Sequence, residues 1–162
     1  MKTLIFNSKF LVSLVLALPL MCSRNDDNGN EVEMNFTPVT LSLEGLNITE
    51  SDTSFTVNGF QFTLMDGSPN SNSADGIFVG TLELDLEAIS GFSTITIDML
   101  SNSISTTISL FNNGNLIQEN DDIAGAEVDM PFKETMFTVE GQEIDLLRIT
   151  SLEAVVRSIR LE

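Results

Sequence analysis

The 162-residue chain contains no histidine, no tryptophan and no tyrosine. Without histidine it cannot form a Ser-His-Asp triad, a Cys-His catalytic pair or an imidazole metal site. Sugar-binding modules usually stack their ligand on exposed tryptophan or tyrosine, and the hot spots of protein interfaces favour the same two residues. Phenylalanine, with 11 copies, is the only aromatic residue, and most copies fall at spacings typical of a core. We therefore expect a protein that is not an enzyme.

Basic residues are scarce as well, because seven Lys and Arg stand against 24 Asp and Glu, a formal net charge of −17. Such a charge repels the phosphates of nucleic acids and anionic lipid head groups, so we expect no nucleic-acid partner. A solvated acidic surface explains most of these carboxylates. The alternative is that some of them collect Ca²⁺, which prefers oxygen ligands.

The only cysteine is Cys22, so no disulfide can form within the chain. It follows a start with two lysines, Lys2 and Lys9, and an apolar run over residues 10–21. A membrane-spanning helix needs about 20 apolar residues, so this shorter run does not suffice as an anchor. A basic start followed by a short apolar segment is typical of a bacterial export signal.

A lone cysteine directly after this segment resembles the lipobox of bacterial lipoproteins. In that family the signal is cut before the cysteine, which then carries acyl chains. Pro19 and Met21 stand where the family prefers leucine and a small residue. Residues 23–27 resemble the acidic tags of lipoproteins displayed on the surface of some Gram-negative bacteria. The resemblance implies a signal peptide over 1–21, lipidation of Cys22 and an exported protein at the outer membrane or cell surface. The alternative is an ordinary signal peptide with a chance cysteine.

Residues 22–35 are polar and acidic, and too poor in apolar side chains to fold alone. We interpret them as a flexible tether, and residues 36–162 as one domain. There, apolar and polar residues alternate in about nine to eleven short segments separated by Gly, Asn and Asp, with no helical periodicity. Asn58 and Gly59 predict a hairpin. The end of the chain predicts two strands, 144–150 and 154–161, with Val155, Arg157, Ile159 and Leu161 on one face.

This pattern predicts an all-β fold, an antiparallel β-sandwich. Several segments resemble the jelly-roll or galactose-binding-like sandwiches of secreted bacterial proteins. They are an opening strand at 43–46, an extended pair at 55–64, two strands at 95–105 and 107–115, and a terminal strand pair at 144–149 and 155–161. The resemblance implies carbohydrate or protein binding, and it identifies no individual site residue.

Three groups of acidic and amide residues are candidates for chemistry. Asp66, Asn70, Asn72 and Asp75 lie in the apolar-poor loop 66–76 and offer the oxygen ligands that calcium prefers. Their spacing does not match an EF-hand, and an ordinary Asx-rich loop is the alternative. A second loop at 120–122 is a weaker candidate. Glu83 and Asp85 point the same way from one strand, which is conceivable for a glycosidase pair, although an outward acidic strand face explains them without any function.

Taken together, the sequence predicts a lipid-anchored cell-envelope protein whose β-sandwich is a non-catalytic binding or structural module. Two alternatives remain open. One is a calcium-dependent carbohydrate-binding module, and the other is an accessory subunit of a surface protein assembly. The predicted partners are the membrane, through the lipid anchor, and a glycan or a surface protein.

Overall fold

The computed structural model describes residues 36–49, 51–65, 71–73, 75–101, 106–121 and 132–162. In these ranges the chain forms strands and turns and no helix, as the alternating pattern predicts. No helix of the described part is long and apolar enough to cross a membrane. The strands are β1 (Val39–Ser42), β2 (Ser54–Val57), β3 (Phe60–Leu64), β4 (Ser71–Ser73), β5 (Gly76–Asp85), β6 (Thr94–Ser101), β7 (Thr107–Asn112), β8 (Asn115–Asn120), β9 (Lys133–Thr138) and β10 (Leu146–Leu161).

All strand pairs are antiparallel, and the sixteen-residue strand β10 belongs to both layers of the β-sandwich. Its first part, Leu146 to Thr150, pairs with β5 and β7. With β2, β3 and β8 these strands make one layer, which we call sheet A. Its last part, from Ala154, pairs with β1, β6 and the start of β5. With β9 these form the second layer, sheet B.

The predicted terminal strand pair, 144–149 and 155–161, is therefore wrong, because residues 146–161 form one bent strand. Between Thr150 and Ala154, three residues of β10 face a single residue of β5, Gly80. Extra residues of this kind let a strand turn the corner from one sheet to the other. We call residues 151–157 the β10 bend.

A second irregularity in the bend corrects the predicted face of the last strand. Val156 pairs with Met99 and Ser158 with Asp98, so Arg157 is an extra, bulged residue. Strict alternation after Val156 would turn Ser158 inward, whereas the bulge shifts the phase by one residue. Ile159 and Leu161 are consequently fully buried on the face of Val156, while Val155 and Arg157 are not part of this core face.

The core fills the space between the two sheets with aliphatic side chains from alternate positions. Sheet A contributes Phe62, Leu82, Leu84, Ile108 and Ile149, and sheet B contributes Leu41, Ile95, Ile97, Val156 and Ile159. Burial of a side chain of this size contributes about 1.5–3 kcal/mol, so these residues supply most of the favourable free energy of folding.

Two tight turns have the geometry that their sequences predict. Asn58 and Gly59 connect β2 to β3, and Asn113 and Gly114 connect β7 to β8, all four with positive φ. Positive φ at both central positions matches the twist of a two-residue hairpin. The open sides of the sandwich are bridged by amides, since Asn58 Nδ2 donates to the Thr40 carbonyl at 3.3 Å and Gln118 Nε2 to the Thr138 carbonyl at 2.8 Å.

Candidate functional site

A cleft of about 770 Å³ lies at one end of the sandwich. Three connections line it: residues 87–93 between β5 and β6, the turn after β7, and residues 140–145 before β10. Loops held at the end of a rigid sandwich are a common location for binding residues. This cleft is therefore the candidate binding site.

The floor of the cleft is apolar. Phe92 and Ile144 are 8% and 4% exposed, and Ile89 is half-buried beside them. The Phe92 ring packs edge-on against the ring of Phe36, with 5.8 Å between the ring centroids. These contacts fix the floor from behind, so a ligand would meet a preformed apolar surface.

Backbone hydrogen bonds join the lining connections to each other. Leu86 N donates to the Asp145 carbonyl at 2.8 Å, and Asp145 N donates to the Phe111 carbonyl at 2.9 Å. The side chain of Asp145 also accepts a hydrogen bond from the backbone N–H of Asn113. The cleft is thus built by the ends of β5, β7 and β10 together.

Four carboxylates line the cleft, from Glu87, Glu140, Glu143 and Asp145. The three glutamates are exposed. No lysine or arginine is among the lining residues of the described cleft. The described arginines instead pair with carboxylates elsewhere, at 2.7 Å for Arg148 and Glu83 and 3.5 Å for Arg157 and Asp98. Negative charge in the cleft is therefore not compensated by a cationic lining residue.

Amide side chains complete the wall. Asn113 Nδ2 donates to Asn112 Oδ1 at 2.7 Å, and Gln142 Oε1 accepts from Gln118 Nε2 at 2.9 Å. These bonds orient the amides while leaving each with further donor or acceptor capacity. The wall can therefore hydrogen-bond a polar ligand.

The described members of the predicted calcium set, Asn72 and Asp75, are not among the residues that line this cleft. Asp66 and Asn70 are outside the described residues. Asn72 belongs to β4, a short strand within the predicted loop, where its backbone pairs with Ile77. Asp75 is exposed just before β5, whose opposite end reaches the cleft. Within the described ranges no three or more acidic side chains are grouped to hold a metal ion. In the second predicted loop Asp121 is exposed and Asp122 is outside the described residues.

Glu83 and Asp85 each have a structural contact that accounts for them. Glu83 Oε1 lies 2.7 Å from both Nε and Nη2 of Arg148, whose guanidinium is 4.8 Å from the centre of the Phe111 ring. Asp85 Oδ1 accepts a hydrogen bond from the backbone N–H of Glu87 at 2.9 Å. The first contact joins β5 to β10, and the second shapes the chain as it enters the cleft.

Sequence reasoning did not identify the cleft. Its residues come from connections more than 50 positions apart, such as Phe92 and Ile144. The local signals were two turn residues, Gly91 and Gly141, which predict where strands end but not that these ends meet. Cys22, the predicted lipidation site, lies outside the described residues.

No protein-family model matches the chain, and no curated protein matches its sequence. A functional proposal for this protein therefore depends on its N-terminal sequence, its fold and the chemistry of the cleft.

Proposed function

We propose that this protein is an exported lipoprotein whose β-sandwich binds a ligand in the end cleft without catalysing a reaction. The observation that carries the binding role is the cleft itself, with its apolar floor, its carboxylates and its oriented amides. A concave site that combines an apolar surface with a few convergent polar groups is the usual form of a binding site. The anchor is inferred from the signal-like residues 1–21 and from Cys22.

Binding is favoured over catalysis by the side chains available in the cleft. Ser90 and Ser93 are the hydroxyl-bearing residues that line it. A serine nucleophile needs a neighbouring general base, and the chain has no histidine to act as one. Ser93 Oγ donates to the carbonyl of Glu162 at 3.2 Å, which gives this hydroxyl a role in holding the C-terminus.

The binding role is tested by filling the cleft. Ser90 is an exposed lining residue, so Ser90→Trp should occupy the cleft without disturbing the core. Ser54→Trp, on an exposed position of β2, is the matched control. Both variants and the wild type are screened on glycan and peptide arrays, with and without Ca²⁺. We expect a ligand that is lost with Ser90→Trp and retained with Ser54→Trp. A ligand whose binding is unchanged in both variants, or lost in both, contradicts a cleft site.

The anchor is tested separately in cells labelled with radioactive palmitate. The wild type should incorporate label and fractionate with membranes, because acyl chains contribute about 0.8 kcal/mol per buried methylene. Cys22→Ser should incorporate none and leave the membrane fraction. Label that persists in Cys22→Ser, or an unlabelled wild type, would disprove lipidation at this residue.

A role as accessory subunit of a surface assembly is the second candidate, favoured by exposed apolar side chains on strands that lie at the edges of the described sheets. Leu116 in β8 is 52% exposed and Met136 in β9 is 61% exposed. Edge strands with apolar side chains are potential pairing sites for another chain. Substituting both with lysine should then release the protein from a co-purified assembly while leaving cleft binding unchanged.

A further inference from the structure

We infer that the cleft takes a cationic ligand, namely an extended segment of another protein that carries lysine or arginine side chains. This inference rests on the proposed binding role of the cleft and specifies its ligand. A floor of Ile89, Phe92 and Ile144 with carboxylates around it suits an aliphatic stem that ends in a positive charge. Lysine and arginine have this form, since their stems pack on apolar surface while the charged group stays in water.

The distribution of charge is the first argument. Glu87, Glu140 and Glu143 have no side-chain ion pair within the part of the chain that the structure describes, and they share one cleft. Three of the basic residues, Arg148, Arg157 and Arg160, lie within 4.0 Å of carboxylates outside the cleft. The negative electrostatic potential of the cleft therefore complements a positively charged group on the ligand. The formal net charge of −17 adds long-range attraction for it.

The second argument concerns the amides in the wall. An extended peptide presents one backbone donor and one acceptor per residue. Asn112, Asn113 and Gln142 can meet such groups beside the carboxylates that hold the side chains. The same wall is less typical of a neutral-sugar site, because Phe92 is the one aromatic residue among the described lining residues and its ring packs against that of Phe36.

The experiment uses a hexalysine peptide as probe and a hexaserine peptide as its neutral counterpart, with the full chain in isothermal titration. The double variant Glu140→Gln, Glu143→Gln removes two carboxylates from the cleft. The control Glu44→Gln, Glu153→Gln removes two exposed carboxylates elsewhere, so both proteins have the same net charge. We expect hexalysine to bind the wild type, to weaken roughly fivefold or more with the cleft variant, and to change less than twofold with the control. The hexaserine peptide should not bind.

Each other outcome has a defined meaning. Equal weakening by the two variants would place hexalysine on the general surface charge and overturn the inference, as would an absence of binding. A neutral oligosaccharide whose binding is lost in Ser90→Trp, and which hexalysine does not displace from the wild type, would also overturn it. The proposed binding role of the cleft would then stand. If Ser90→Trp changes the binding of no ligand, the proposed function itself fails.

Discussion

The β10 bend and the cleft differ in whether their polar groups are paired within the protein. In the bend, backbones approach closely, hydroxyls bond to one another, and Arg157 pairs with Asp98. In the cleft, turns expose glutamates that have no cationic neighbour among the lining residues. Groups that satisfy each other stabilise a fold, whereas unsatisfied groups on a firm support are available to a ligand. Substitutions in the bend should therefore reduce stability, and those in the cleft should affect binding alone.

The largest effect is expected for Gly76→Ala, at the point where β5 begins beside the bend. A Cβ there would lie 2.3 Å from the Val156 carbonyl oxygen, and the φ of +149° is one that other residues rarely adopt. Neither backbone can move without breaking the pairing of β5 with β10. We expect a loss of about 3 kcal/mol or more in the free energy of unfolding. Urea denaturation measures it.

Gly45→Ala is the control, because Gly45 has a φ of +69° but open space around it. It isolates the cost of the backbone conformation, which is about 1 kcal/mol. Equal losses for the two variants would contradict the close approach at Gly76 as the cause.

The sequence predicts the fold well because the alternation of apolar and polar residues directly reports a half-buried sheet. It also predicts the β2–β3 hairpin, because Asn58 and Gly59 are adjacent in the sequence and favour a two-residue turn. It fails at β10, because a bulge such as that at Arg157 depends on register with β6 and leaves no local signal. It fails at the cleft for a related reason, because the meeting of Phe92 with Ile144 is a property of the strand order.

A smaller effect of either sign is expected for threonine-to-valine substitution at two buried positions. Thr106 Oγ1 bonds to the hydroxyls of Ser101 and Ser151, so Thr106→Val should cost about 1–3 kcal/mol. Thr96 Oγ1 is buried with no hydrogen-bond partner in the described structure, so Thr96→Val should stabilise by about 1 kcal/mol. The pair is compared by thermal and urea unfolding. Destabilisation at both positions would mean that Thr96 has a partner after all.

Burial of Asp98, which pairs with Arg157 of the bend, should give the protein a weak pH dependence. Burial raises the pKa of Asp98 above 3.8, the positive charge of Arg157 opposes this, Glu134 and Glu44 add to it, and Arg160 opposes it. Since the folded state holds this proton more tightly than the unfolded state, stability from this group is lost as pH rises through the raised pKa. The free energy of unfolding of Asp98→Asn, relative to wild type, should therefore rise from pH 3 to pH 7. A constant or falling difference would contradict the sign.

The smallest effect on stability belongs to the cleft. The double variant Glu140→Gln, Glu143→Gln should keep the free energy of unfolding within about 0.5 kcal/mol of wild type, because both side chains are exposed and neither closes an ion pair in the described part of the chain. Any change should be a gain, since removing two like charges beside Asp145 relieves repulsion. Urea unfolding at low and high salt checks this reason. A gain from relieved repulsion should shrink at high salt, because salt screens the repulsion between exposed charges. A loss larger than this would mean that the glutamates hold the loops in place, and the contrast with the bend would then disappear.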